Sequence, residues 1–517
     1  TLMRDDAATP SLNATLAAGT RLTDASLSVG VLKSLVASST LDLTHVKVSD
    51  AVISVGDASA LLSYVDLSGT NVSGTMTASM AKQLVSQVKG FDSSATIIGS
   101  TISLSDAIAL NGHIALGSVT ISGSASAPIS SSVSTVSLAN LNSIMANNPS
   151  VHIGHASLDI SATSGVVHNS DITLMQSASD PSSPLIFNTS NVAKVTLQLD
   201  AGNSNLATVV SNASALNTLG VNQVMAANGS LSITLSQALA ITGITTSSDP
   251  SAAVPLLSFA TGDSVTINLA QSDIPAGSAT DTAVVNFKHE IALLAKSHVD
   301  TIHGTSGALS LNVSVFREIR DDGMVFAAGD QITLVDSASN LSTVIANAAT
   351  YAGQGASSIL STDGLNLSLS AFQNAAKSLT IASGQTVSVN FGDSDLLSLR
   401  SNYVTLKAQG MTNVVVATTT ASQHYASELA LDDINALVSA GLGISPASGT
   451  TVVANVSAGN LASIATWAPN LIAKGITEFD FGSTALTATQ ARSIITYIKS
   501  AGASVEGSPT VIALSKV

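Results

Sequence analysis

The chain has 517 residues, of which only 10% are charged, against about 25% in an average soluble protein. Hydrophobic residues make up 45%, aromatics 3%, and mean hydropathy is +0.42, which excludes intrinsic disorder, a state of low hydrophobicity and high net charge. A net charge of −15 with scattered Lys and Arg argues against a nucleic-acid partner, and the lack of any cysteine excludes disulfides, thiolate chemistry and Cys-ligated metal centres.

The first residues, Thr1-Leu-Met-Arg-Asp-Asp6, have neither the basic start nor the apolar run of a secretory signal. The expectation is a processed or excised piece, or export by a route without an N-terminal signal. Next come weak copies of phrases that recur later: Val55-Gly-Asp-Ala-Ser-Ala-Leu-Leu62 resembles the Gly-Asp strand phrase of Gly262 and Gly329, Ile102-Ser-Leu-Ser-Asp-Ala-Ile108 resembles the Leu-Ser phrase of Leu231 and Leu309, and Gly117-Ser-Val-Thr-Ile121 resembles a strand entry. Ala107 to Leu158 and Ala201 to Ser248 contain no Asp, Glu, Lys or Arg. Ser, Thr, Asn and Gly interrupt both runs, with Pro in the first, so neither reads as a membrane span, which needs about 20 mostly apolar residues. Between about 123 and 190 the pattern blurs around Pro128, Pro149, Pro181 and Pro184. The expected organisation is a divergent repeat region over 1–190 and a regular one over 191–517.

In the second region one phrase recurs: a strand, a turn, then Leu-polar-apolar-Ser/Thr entering an Ala-rich stretch. The copies include Leu231-Ser-Ile-Thr-Leu-Ser236, Leu309-Ser-Leu-Asn-Val-Ser314, Leu365-Asn-Leu-Ser-Leu-Ser370 and Leu486-Thr-Ala-Thr489, with a degraded copy from Gly410 to Leu431. A second phrase alternates with it, starting at Gly262, Gly329, Gly384, Gly449 and Gly507, spacings of 67, 55, 65 and 58 residues. A period of about 55–67 residues with two strand phrases in it is regular but long for one minimal coil, so each period is expected to hold two half-coils. The strand phrases alternate strictly, as in Val387-Ser-Val-Asn-Phe391, placing apolar side chains on one face. Helices follow: Leu341, Val344, Ile345 and Ala348 recur at helical steps behind a capping Asp336 or Ser337, and the spacing predicts further helices over 371–377 and 490–498. Strand, helix and strand at this spacing favour parallel pairing. The predicted fold is α/β, an elongated repeat solenoid of short parallel strands alternating with short helices, in about eight modules.

The run Ala328-Gly-Asp-Gln-Ile-Thr-Leu-Val-Asp-Ser-Ala-Ser-Asn-Leu341, followed by Leu365-Asn-Leu-Ser-Leu-Ser370, resembles the degenerate repeats of very large secreted surface proteins of alphaproteobacteria, adhesin-like and surface-layer-like. The resemblance covers about residues 200–517 well and 1–200 loosely. It implies an extracellular or cell-surface setting. Many such proteins carry Gly-Gly-x-Gly-x-Asp calcium repeats, and this sequence departs from that pattern, having no Gly-Gly pair.

No nucleophile elbow, P-loop or dinucleotide-binding glycine motif occurs. His152-Ile-Gly-His155 with His168 offers imidazoles, yet residues three apart on a strand face opposite ways, so structural or surface roles are expected, as for His298, His303 and His424. Asp321-Asp322, Asp393-Ser-Asp395 and Asp432-Asp433 could each give calcium two of the six to eight oxygens it wants, but first-turn helix capping is the expected role. Arg317 and Arg320 beside Glu318, Asp321 and Asp322 read as a solvated helix face. Glu478 and Asp480 are the one strand-borne carboxylate pair suited to glycoside chemistry and are expected to face outward. Trp467, at helical spacing from Ile464, reads as a core plug, leaving few aromatic platforms for sugars. No catalytic, cofactor-binding or metal-binding residue is assigned, and no cofactor is expected, calcium being the one ion the aspartates could take up. The functional expectation is a non-enzymatic structural repeat protein of a surface layer, adhesin or self-assembling filament. Self-association is expected at the strand phrase Thr510-Val-Ile-Ala-Leu514, with cell-surface polysaccharide as a further partner. The alternatives are a β-helix-like enzyme acting on polysaccharide and a glycan-binding adhesin module.

Overall fold

A computed structural model describes residues 21–38, 41–99, 101–117, 119–122, 134–154, 156–181, 184–188, 192–245, 255–392, 395–416, 428–447, 452–474, 476, 478–482, 484–506 and 511–512. The fold is α/β. Among the described residues short strands, paired in parallel, alternate with short helices in a succession of small sheets. Contacts divide the protein into two compact units, one of Thr1–Leu231, Ala240–Gly243 and Pro255–Asp263, the other of Ser232–Leu239, Ile244–Val254 and Ser264–Val517.

The second unit repeats one coil: strand, corner, strand, helix. Ala356–Ser361 turns through Thr362-Asp363-Gly364 into Leu365–Ser368, helix Leu369–Ser378 follows, and Thr380–Ile381 returns beside Ala356–Ser361. Three consecutive four-stranded sheets obey the same rule. In spatial order they are Ala308–Leu311, Gln331–Asp336, Ala356–Ser361 and Thr380–Ile381; Leu365–Ser368, Val387–Phe391, Asn413–Val416 and Gly443–Pro446; and Glu428–Ala430, Val453–Asn455, Glu478–Asp480 and Ser504–Glu506. The first two strands of each are the second strands of two successive coils, and the last two are the first strands of the next two coils. The ladder therefore passes from one side of the coil to another every two coils. A 55–67-residue period is two complete coils, which is why it is long for one.

Alternation decides which face each strand buries. Across one sheet Leu311, Leu334 and Ile359 stand in register and are buried, with Ile381 beside Ile359 also buried, while the neighbouring row is Ser310, Thr333, Ser358 and Thr380. The Thr333 and Ser358 hydroxyls lie 2.7 Å apart, a hydrogen bond between the two central members of the polar row. Each buried aliphatic side chain contributes about 1.5–3 kcal/mol, which is how a core poor in aromatics suffices.

The strands end where they do because Ser or Thr closes them. Ser54, Ser103, Ser137, Ser337, Ser368 and Thr487 each keep an extended backbone and accept from an N–H three residues on, capping the helix that follows. Helices stop at glycines in the left-handed region. Gly355 (φ +107°) follows helix Ala348–Gly353 and Gly410 (φ +108°) follows helix Leu396–Ala408; a Cβ there would stand 3.2 Å from Phe326 and 3.0 Å from Ile381 of the preceding coil. Glycine thus ends the helix and lets the next strand close on its neighbour.

The first unit is less regular. Its sheets hold two to four strands, from Arg21–Leu27 with Asp42–Val48 up to Val166–His168, Thr196–Gln198, Gln223–Met225 and Ser258–Phe259. One device recurs in it: Lys33 reaches Asp57 at 2.6 Å and Lys82 reaches Asp106 at 2.8 Å, each pair tying a helix to the next coil's helix over the same 24-residue separation. No helix among the described residues is long and apolar enough to cross a membrane.

Candidate functional site

Charge in this charge-poor protein gathers in the second unit, where helices Thr282–Lys296, Val313–Asp321 and Ala338–Ala346 border a cleft of about 430 Å³. The middle helix reads Val-Ser-Val-Phe-Arg-Glu-Ile-Arg-Asp. Val313, Val315, Phe316 and Ile319 are buried, which turns Arg317, Glu318 and Asp321 toward the cleft. The Asn312 side chain accepts from Val315 N at 2.8 Å, capping this helix, and the Val313 N–H donates to Asp336 Oδ2 at 3.2 Å.

The cleft's polar groups hold one another in place. Lys288 Nζ lies 3.0 Å from Glu318 Oε2, with the two side chains 27% and 30% exposed. Arg317 Nε donates to the Tyr351 hydroxyl at 2.7 Å and its guanidinium carbon sits 5.8 Å from the Tyr351 ring centroid. Tyr351 in turn stacks on Phe316 at 5.7 Å, and Phe316 on Phe326 at 5.3 Å, an aromatic cluster that fixes the arginine from below. Asp336 Oδ1 accepts from Ser337 N at 2.8 Å and Asn340 Nδ2 at 2.6 Å, so this carboxylate is spent on the two helix N-termini. At the far end of the helix, burial pushes the Asp322 carboxyl above its ordinary range, with the Glu318 charge adding to the effect. Burial alone does the same to Glu290, on the helix facing it. The cleft wall thus carries both cationic donors, Lys288 and Arg317, and anionic acceptors, Glu318 and Asp321.

The other residues singled out in the sequence are spread apart. His152 lies exposed on strand His152–Gly154 and His168 exposed on Val166–His168 of a different sheet; His155, Asp393 and His424 lie outside the described residues. His298 occupies the left-handed region (φ +67°) just past helix Thr282–Lys296. His303 meets a buried Asp330, Nδ1 to Oδ1 at 2.9 Å, while Asp330 Oδ2 accepts from Gly304 N at 2.8 Å.

The capping expectation divides. Asp432 and Asp433 stand in the first turn of helix Leu431–Ser439, where they accept from Asn460 Nδ2 at 2.7 Å and pair with Arg400 Nε at 3.0 Å. Asp395 occupies the cap position of helix Leu396–Ala408, and its carboxylate makes no cap bond there. Asp321 and Asp322 instead sit at the C-terminal end of their helix, the end the dipole makes unfavourable for acids. Arg320 is not a purely solvated residue either: it is half-buried and donates to the Met324 carbonyl at 2.8 Å. Glu478 is buried, not outward-facing, and shares its strand face with half-buried Asp480, opposite buried Phe479. Trp467 is half-buried on helix Ile464–Ala473 above buried Ile464, so it covers the core without plugging it.

Sequence reasoning found the cluster on Val313–Asp321 but missed Lys288 and read Asp336 only as a helix cap; both reach the cleft from neighbouring coils. Among the described residues no group of three or more His, Asp or Glu could hold a metal ion. No protein-family model matches this sequence, and comparison with curated proteins finds no match.

Proposed function

We propose that the chain is an extracellular structural repeat protein of the bacterial cell surface, part of a surface layer, adhesin or self-assembling filament, and not an enzyme. The observation that carries this reading is the hand-over of parallel strands, repeated through three consecutive sheets, which makes each coil complete only against the next. The same pairing supports growth from one molecule to another. Ser504–Glu506 pairs with Glu478–Asp480, and Val511–Ile512 with Leu486–Thr487; among the described residues both are the end strands of their sheets, the positions at which a further strand adds. Electron microscopy of the concentrated protein, with and without residues 504–512, tests it. Fibres or sheets from the full-length protein, lost on deletion, are expected; single molecules in both samples overturn it.

A second reading, a glycan-binding surface module, is favoured by the cleft beside Arg317. Its two cationic side chains, Lys288 and Arg317, nearly balance the carboxylates Glu318, Asp321 and Asp336, which suits a neutral saccharide better than an ion. Calorimetry with neutral oligosaccharides should detect binding that Arg317→Ala abolishes, and no heat from the unaltered protein removes this reading.

A further inference from the structure

Two asparagines precede glycine in this sequence, Asn111 and Asn228, and the first unit treats them oppositely. Asn111 is half-buried. Its Nδ2 donates to Ser143 Oγ at 2.7 Å, and its Oδ1 accepts from Asn147 Nδ2 at 3.2 Å and Asn148 Nδ2 at 3.3 Å. Both the leaving nitrogen and the carbonyl oxygen of that amide are therefore held.

Asn228, Gly229 and Ser230 are all exposed in the turn entering strand Ser230–Thr234. The Asn228 amide is held by a single long bond among the described residues, its Oδ1 accepting from Ser230 N at 3.4 Å. Gly229 has φ +72° and no neighbouring heavy atom within 4 Å of where a Cβ would stand, so the turn is open on that side. Asn203 holds the flanks of the turn, accepting from Ala227 N at 3.1 Å and donating to the Ser230 carbonyl at 3.2 Å, which leaves the Asn-Gly pair as its protruding tip.

We propose that Asn228 is a site of spontaneous covalent modification and that Asn111 is protected. The Gly229 backbone nitrogen attacks Cγ of Asn228; the new bond from that nitrogen to Cγ closes a five-membered imide, the Cγ–Nδ2 bond breaks, and Nδ2 leaves as ammonia with the proton lost from Gly229. Water then adds to one imide carbonyl and the bond from that carbon to the ring nitrogen breaks: opening at Cγ gives aspartate, opening at the backbone carbonyl gives isoaspartate. A negative charge enters the uncharged run from Ala201 to Ser248, and the isoaspartate form adds a methylene to the backbone just before a strand whose Leu231 and Ile233 are buried. Glycine permits the closure because no side group hinders it, and an exposed turn tip moves enough to reach the attacking geometry.

The full-length protein is incubated at mildly alkaline pH, folded and in urea, and peptides spanning both sites are assayed for isoaspartate and for hydroxylamine cleavage at the imide. In urea both sites should convert at similar rates. In the folded protein Asn228 should convert many-fold faster than Asn111. Equal rates in the folded protein, or an inert Asn228 where the urea sample converts, overturn the proposal.

Discussion

Asp363 shows what this protein does with its acids. It is exposed at the corner between two strands, yet its Oδ1 accepts from the Ala338 N–H of the preceding coil at 2.7 Å and from Ser361 Oγ at 2.8 Å. Asp50, Asp263, Asp300 and Asp330 do the same for Val29, Ala226, Val265 and Gly304, at 2.6 to 2.9 Å. Each carboxylate satisfies a backbone donor that the preceding coil leaves open. The Ala338 N–H, followed by the Ser361 hydroxyl, holds the Asp363 carboxyl below its ordinary range. A depressed folded-state value means the stabilisation is complete above the unfolded value of about 3.9 and is lost as pH falls through the folded one. Asp363→Asn keeps an acceptor for Ala338 and removes the titration. The stability gap between the parent protein and Asp363→Asn, read from urea midpoints, should be constant from pH 7 to 5 and shrink below pH 4; a gap independent of pH refutes the coupling. The sequence marks none of these five acids as a cap or a calcium ligand. It could not show the clasp, because the partner N–H lies 21 to 37 residues away along the backbone.

Helices and strands were legible to within a residue or two where one cap is available. The helix expected over 371–377 runs Leu369–Ser378, because Ser368, not Ser370, accepts from the Ala371 N–H; two serines two apart offer the same chemistry, and only the backbone settles which one leaves the strand. The Asp321-Asp322 end misleads for the opposite reason: acids after a helix look like acids before one unless its far boundary is known. Helix Val313–Asp321 also concentrates packing energy. Phe316 is fully buried and stacks on Phe326 and Tyr351, the ring that carries Arg317. Phe316→Ala should cost about 3–5 kcal/mol, the range for truncating a buried phenylalanine. Trp467, the single tryptophan of the sequence, lies in the same unit and reports its unfolding by fluorescence. A loss under about 1 kcal/mol would mean that the cluster collapses to fill the gap.

At the largest scale the period was visible in the spacing of glycines, but the strand hand-over was not. Alternation tells a strand which face to bury; it is silent on whether the neighbour is the same strand of the next coil or a different one. The hand-over has an energetic consequence within residues 264–517. A coil contacts only its neighbours, so stability should be local and propagate by nearest-neighbour terms. Phe479 tests this, being fully buried on the Glu478–Asp480 strand, which pairs with Val453–Asn455 on one side and Ser504–Glu506 on the other. In Phe479→Ala, native-state hydrogen exchange should quicken most at those three strands, less at Asn413–Val416, and not at Thr301–Gly304. Uniform loss of protection across all of them would mean that the coils open together, and the additive account of this array would fail.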